Sequence, residues 1–255
     1  MNGLAVIVTG ASSGMGRAIS VQLAPRGFDL WLVGRSTAGL EETAALAVER
    51  GGKPPTCVSL DLETHGALAA LVTKVGADHP YLFALINNAG VMHPEPVMEG
   101  SPDRWRAMFE TNLFAPVEAN QAAVRAMRRH GRPGKLIAIS SLASRNERYG
   151  MYSASKKALE SANRSLRAEL EHDDIRITTI VPGGFKTNLA RGFTDASLAS
   201  LLETASGLGI DFAAPSESIM GDPVHIARVV EMLLDQPSEI NLEEIIIRPP
   251  VTLDF

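Results

Sequence analysis

One cysteine, Cys57, occurs in 255 residues. No internal disulfide can form, and a reducing compartment is expected. Aromatic residues make up only 5%. Positive charge is not in excess either: 24 Lys and Arg against 29 Asp and Glu leave a net charge of −5, which argues against the basic surface a nucleic-acid binder needs. The densest basic run, RAMRRHGRPGK at 125–135, falls at an expected helix end, where cations complement the dipole. No apolar run reaches the length of a membrane span, and the opening MNGLAVIVTG lacks the basic flank of a secretory signal. The six histidines show no ligand spacing, so no metal site is expected. What remains is the expectation of a soluble, cytoplasmic protein with no nucleic-acid or membrane partner.

Hydrophobic residues make up 45% of the chain, enough for a sizeable core. Seven short apolar runs recur: LAVIV (4–8), FDLWLV (28–33), PTCVSL (55–60), LFALIN (82–87), KLIAIS (135–140), IRITTIV (175–181) and EEIIIR (243–248). They are nearly continuous rather than alternating, as strands of a parallel sheet buried on both faces read. Helical patterns lie between them, with Met15, Ile19 and Leu23 on one face of 14–26 and Leu40, Leu46 and Ala47 on 38–50. Ser101-Pro102 and Asp222-Pro223 read as helix starts, and Gly27, Gly51 and Gly131 as helix stops. The alternation predicts an α/β fold: one doubly wound, Rossmann-like domain over 1–255, its sheet mainly parallel and helices on both faces. Residues 188–221, rich in Ala, Ser, Leu and Gly, are expected to form a substrate lid.

VTGASSGMG at 8–16 follows the first expected strand and opens a helix. Gly10 permits a tight turn, Gly14 a close approach of a ligand, and Gly16 close helix–strand packing. The helix N-terminus then offers amides and a positive dipole end to a pyrophosphate. The second strand ends in Gly34-Arg35-Ser36, without the carboxylate that binds a ribose 2′-hydroxyl. Arg35 therefore suits the 2′-phosphate of NADP(H) better than NAD(H), unless it is a plain surface arginine. Asp61 is placed to accept from an adenine amine or to cap the next helix. In INNAG (86–90), Asn87, Ala89 and Gly90 carry little bulk, so a flat ring can lie on the backbone. Asn112 sits within an otherwise apolar helix and needs a partner.

Tyr152 and Lys156 are four residues apart and share a helix face. An adjacent ammonium favours the phenolate, which makes Tyr152 a candidate general acid. Tyr149 has no lysine at that spacing, and Lys157 pairs back to Ser153 instead.

Taken together, TGASSGMG, NNAG, Asn112, ISS, YSASK and PGGFKT (182–187), in this order and spacing, resemble the short-chain dehydrogenase/reductase family over about residues 3–250. The resemblance implies a seven-stranded sheet, a homodimer or homotetramer, and hydride transfer between NAD(P)(H) and a small-molecule carbonyl or alcohol. By position, Tyr152 donates the proton, Lys156 lowers its pKa and holds the nicotinamide ribose, Asn112 anchors a water, and Thr187 holds the carboxamide. Cofactor contacts carry over likewise to Ser12, Ser13, Met15, Ser36, Leu62, Asn88, Ala89, Gly90, Pro182 and Gly183. The serine that polarises the substrate aligns as Ser141, with Ser140 and Ser144 as alternatives. Ser141 lies 11 residues before Tyr152, closer than is usual in the family, so the intervening loop is short. The last strand, in INLEEIIIRPP, is similar to that of a branch with NADP-dependent 3-hydroxy acid and serine dehydrogenases and some aldehyde reductases.

Substrate contacts are expected at Ser141, Met92, His93, Arg148, Phe185 and Phe193, in a partly apolar pocket. A carboxylate substrate would need a cation, for which Arg145, Arg148, Lys186 and Arg191 are candidates; a carboxylate is not expected to be required. A non-catalytic NADP(H) sensor on the same fold is the alternative.

Overall fold

A computed structural model of the chain describes residues 3–93, 95–187, 189 and 220–250. Seven strands form one sheet: β1 (Leu4–Thr9), β2 (Asp29–Gly34), β3 (Thr56–Ser59), β4 (Tyr81–Asn87), β5 (Gly134–Ile139), β6 (Ile175–Pro182) and β7 (Glu244–Ile247). Each coincides with one of the apolar runs. All neighbours pair in parallel, in the order β3-β2-β1-β4-β5-β6-β7. The helices are α1 (Gly14–Leu23), α2 (Thr37–Glu49), α3 (Ala67–Asp78), α4 (Pro102–Phe109), α5 (Ala115–His130), α6 (Gly150–Glu169) and α7 (Pro223–Asp235).

The continuous hydrophobicity of the runs is explained by a core on each side of the sheet. In β1, Val6 and Val8 face one core, with Ile19 and Leu23 of α1 and Ile226 and Val230 of α7. Ala5 and Ile7 face the other, with Val72 of α3 and Ala119 and Ala123 of α5. The register of β4 on β1 slips between the pairs Ala5–Leu82 and Val6–Ala84. That bulge sends Leu82 and Leu85 to one core and Ala84 and Ile86 to the other.

Two helix details depart from the sequence reading. Ser101 precedes α4 but its side chain makes no capping bond, whereas Asp222 does accept from the Val224 amide at 2.8 Å. The helix expected over 102–130 is broken by a π-helical turn, Glu110–Phe114, in which the Ala115 amide bonds back to the Glu110 carbonyl. The cause is local: Pro116 has no amide to give the Asn112 carbonyl four residues earlier, and its ring crowds that carbonyl. The turn therefore widens where Asn112 must point inward.

Gly16 shows how closely α1 meets the sheet. A Cβ there would lie 2.2 Å from the Gly10 carbonyl oxygen and 2.6 Å from Asn88 Nδ2. Gly16→Ala must push backbone apart, and overpacking of this kind costs about 1–3 kcal/mol, or about 2–12 °C in Tm for a chain of this size. Thermal unfolding followed by circular dichroism checks this; an unchanged Tm would contradict the packing described.

Candidate active site

Strand order reverses between β1 and β4, whose C-terminal ends part to leave a crevice. A cavity of about 540 Å³ opens there, within the usual range for ligand sites. Its floor is the glycine-rich turn: Gly10, Ser12, Ser13, Gly14 and Met15 line it. Gly10 and Gly14 both have positive φ, 67° and 54°. Ser13 is the N-cap residue of α1, yet its side chain makes no capping bond, so the first amides of the helix are not taken by it. Gly16 does not line the cavity but lets the helix approach, as the clash with a Cβ shows.

Three residues fix this turn, of which only Arg17 lies outside a motif. Thr9 Oγ1 accepts from the amides of Asn88 and Ala89, both at 3.0 Å, and donates to the Ile86 carbonyl. Asn88 Nδ2 returns a bond to the Thr9 carbonyl at 2.8 Å. Arg17 reaches from α1 to the Ser12 carbonyl at 2.8 Å, to Thr43 Oγ1 and to Glu42. Asn88 thus braces the turn, and Ala89 and Gly90 beside it line the cavity.

At the far end of the crevice, Arg35, Ser36, Asp61 and Leu62 line the wall. Ser36 caps α2 by accepting from the Gly39 amide at 3.2 Å. Asp61 does not cap α3, whose N-cap is Gly66; it accepts from the Glu63 amide in a local turn. The end of β2 carries no carboxylate to compete for Arg35. The structure supplies one from β3's exit: Glu63 Oε1 lies 3.7 Å from Arg35 Nη1, and both line the cavity.

At the other end lie Tyr152 and Lys156, on adjoining turns of α6 and both buried. Lys156 Nζ donates to the Ile139 carbonyl at 3.0 Å and stands 6.0 Å from the centre of the Tyr152 ring. Thr187 lines the cavity close beside Gly14, where a Cβ would lie 3.4 Å from the Thr187 Cβ. A Cβ on Gly90 would come within 3.2 Å of both Lys156 Nζ and Asn112 Oδ1, so the absence of a side chain there keeps the wall flat. Asn112, fully buried, spends its whole amide: Oδ1 accepts from the Val91 amide, and Nδ2 donates to the Val91 carbonyl and to Ser155 Oγ, at 2.9–3.1 Å. Its side chain is a brace.

The three serines separate cleanly. Ser140 and Ser144 both donate to Glu160 Oε1, at 2.6 and 2.7 Å. Ser141 accepts from the Ala143 amide and stands close enough to Tyr152 to favour its phenolate, although it does not itself line the cavity. Ser140 borders the cavity, but its hydroxyl is committed to Glu160.

The electrostatics reverse one expectation. Burial pushes the Tyr152 phenol up to about 12, partly countered by Ser141. Burial likewise pulls Lys156 down to about 8, partly countered by Glu160. Desolvation is the largest influence on both groups, so the phenol is not brought down.

The other expected residues divide between the cavity and elsewhere. Met92, His93 and Leu189 line the cavity. Phe185 instead packs in the core with Ile226 and Ala227, its ring against Gly221. Arg148 is exposed and away from the cavity wall. Arg145 is held by Glu244 at 2.8 Å. Pro182 and Gly183 do not line the cavity; Gly183 extends the pairing of β6 with β7 through a bond to the Ile247 carbonyl. Lys157 pairs with Glu147 rather than Ser153. Phe193, Arg191 and nearly all of the expected lid lie outside the described residues. Sequence spacing also gave no hint that His65 meets Glu110 and Glu118, at 3.7 and 3.3 Å, from three separate elements. Among the described residues no helix is long and apolar enough to cross a membrane.

Known proteins share this arrangement. The family model described as short chain dehydrogenase matches residues 4–197. The bovine protein named dehydrogenase/reductase SDR family member 7B is 36% identical over 192 residues, which cover 72% of this chain and 59% of that protein's length. A metagenomic short-chain oxidoreductase solved in complex with NADP superposes with a TM-score of 0.78 at 30% identity, over 98% of this chain and 99% of that one. An alcohol dehydrogenase from Thermococcus sibiricus, complexed with 5-hydroxy-NADP, gives 0.80 at 25% identity over 98% and 97%. With the matching sheet, glycine turn and Tyr152–Lys156 helix, these likenesses establish that the chain belongs to the short-chain dehydrogenase/reductase family of oxidoreductases.

Proposed function

We propose that the protein is an NADP(H)-dependent carbonyl reductase or alcohol dehydrogenase acting on a small, partly apolar substrate. The observation that carries this reading is the buried pair Tyr152 and Lys156, one helical turn apart, at the end of a cavity that begins in a glycine-rich phosphate turn. The cradle fits a dinucleotide: Gly10, Gly14 and Gly90 line it without side chains, and Arg35 lines its far end, which supports a 2′-phosphate there. When bound, the nicotinamide supplies or accepts the hydride.

The chain's own residues handle the proton. A phenol held near 12 stays protonated at neutral pH, so Tyr152 is a proton donor to a carbonyl oxygen as that oxygen takes on charge. Ser141 steadies the same oxygen through a second hydroxyl. Lys156, near 8, passes between its charged and neutral forms close to working pH and is the group suited to reload Tyr152. Among the described residues, Arg35 and Lys156 are the only arginine or lysine lining the cavity. Arg35 is at the adenosine end, which supports a substrate without an obligatory carboxylate over the narrower 3-hydroxy acid reading. The relatives' NADP complexes support the choice of cofactor by likeness alone, and a homo-oligomeric state is part of the same proposal.

The non-catalytic reading predicts that removing the Tyr152 hydroxyl changes nothing. Here, Tyr152→Phe should lower kcat for NADPH-dependent carbonyl reduction by about 10²–10⁴-fold, the worth of a general acid. Ser141→Ala should cost about 10²-fold and Ser140→Ala less than about tenfold. Steady-state kinetics on a panel of ketones and aldehydes reads all three. Equal losses for Ser140 and Ser141, or an active Tyr152→Phe, would sink the assignment.

Cofactor preference has its own test. Arg35→Ala should raise KM for NADPH about 10–100-fold, the worth of a charge-assisted contact, and leave NADH nearly unaffected. Glu63→Gln should lower KM for NADPH about 2–5-fold, as removal of an exposed ion-pair partner allows. A wild-type preference for NADH would refute the NADP(H) reading.

A further inference from the structure

Glu160 has a place in the site that no motif marks. It lies on α6, four residues after Lys156 and eight after Tyr152, so the three occupy one stripe of the helix. Its side chain is 6% exposed. A carboxylate so buried must be paired. Oε1 accepts from both Ser140 and Ser144, at 2.6 and 2.7 Å, and Oε2 lies 3.7 Å from Arg145 Nη2. Arg145 is shared with Glu244 on β7.

The two serines flank Ser141. Ser140 follows β5 and is itself fixed by a 2.8 Å bond from its amide to the Ile180 carbonyl. Ser144 belongs to the turn beyond, Leu142–Arg145. One carboxylate therefore closes both ends of the short segment that presents Ser141 to Tyr152, and does so from the helix that carries Tyr152. The charged groups facing Glu160 are Lys156 on its own helix and Arg145 on the turn, with Glu244 beyond Arg145; Tyr152 faces Lys156 from the preceding turn.

We infer that Glu160 is a positioning residue, which clamps the Ser141 segment onto α6 through Ser140 and Ser144 and supplies the negative charge that faces Lys156. The kinetic consequence rests on the function proposed above; the clamp and the charge do not.

Two variants separate the parts. Glu160→Gln keeps an acceptor for both serines and removes the charge; Glu160→Ala removes both. Glu160→Gln should lower kcat for carbonyl reduction about tenfold and Glu160→Ala about 10²-fold, each with KM for NADPH within about twofold of wild type, because binding is left intact. In Glu160→Gln the midpoint of Lys156, followed by NMR of ¹³C-lysine-labelled protein and assigned with Lys156→Met, should move to lower pH, since a favourable negative neighbour is lost. Should Glu160→Ala fail to fold, Glu160→Gln carries the test. A folded Glu160→Gln with wild-type kcat and an unmoved Lys156 midpoint would overturn the proposal. A wild-type protein without turnover on any carbonyl would refute the function, and the Lys156 midpoint would still judge the role of Glu160.

Discussion

The site depends on how β1 and β4 are joined at their C-terminal ends. These strands lie side by side where the order of the sheet reverses, and their chains leave in opposite directions. Thr9 and Asn88 bond the two exits across that divergence, side chain to backbone in both senses. The glycine turn on one side and the flat Ala89–Gly90 wall on the other then keep a fixed separation. Parallel pairing brings every strand end to the same edge, so β5 and α6 deliver Ser141, Tyr152 and Lys156 to the same crevice.

The polar groups around the crevice divide into braces and working groups. Asn112, Asn88, Arg17 and Glu160 spend their hydrogen bonds on the protein itself. Among the described residues, Tyr152 and Lys156 are the buried titratable groups left facing the cavity, and burial moves their proton affinities apart, to about 12 and about 8. That ordering fits a donor that keeps its proton beside a lysine able to replace it. Stability carries the opposite side of this arrangement. The folded Lys156 binds its proton less tightly than the unfolded lysine, so its burial costs stability below about 8, and the cost is relieved as pH rises toward the unfolded value.

The sequence made the strands legible because burial on both faces writes itself as unbroken apolar runs, and it made α6 legible because a four-residue spacing is one helical turn. The glycine turn was legible for the same local reason. Interactions between distant elements were not. Glu63 comes from β3's exit to face Arg35 from β2's, and no spacing announces it. Phe185 belongs to a motif but falls into the core, because Gly221 leaves room for its ring. The sign of the Tyr152 shift was misread because a spacing reports proximity and not desolvation. The π turn was readable in principle: Pro116 stands four residues after Asn112, where a proline removes a helical bond.

Hydride transfer itself is the claim on which the rest turns, and isotope transfer tests it directly. NADPH deuterated at C4 of the nicotinamide, in separate pro-R and pro-S forms, is incubated with the enzyme and a panel of ketones and aldehydes. The product alcohols are then examined by mass spectrometry and NMR. Deuterium at the carbinol carbon, from one of the two forms only, is the predicted result. NADPH that binds but delivers no deuterium to any member of the panel would contradict the account.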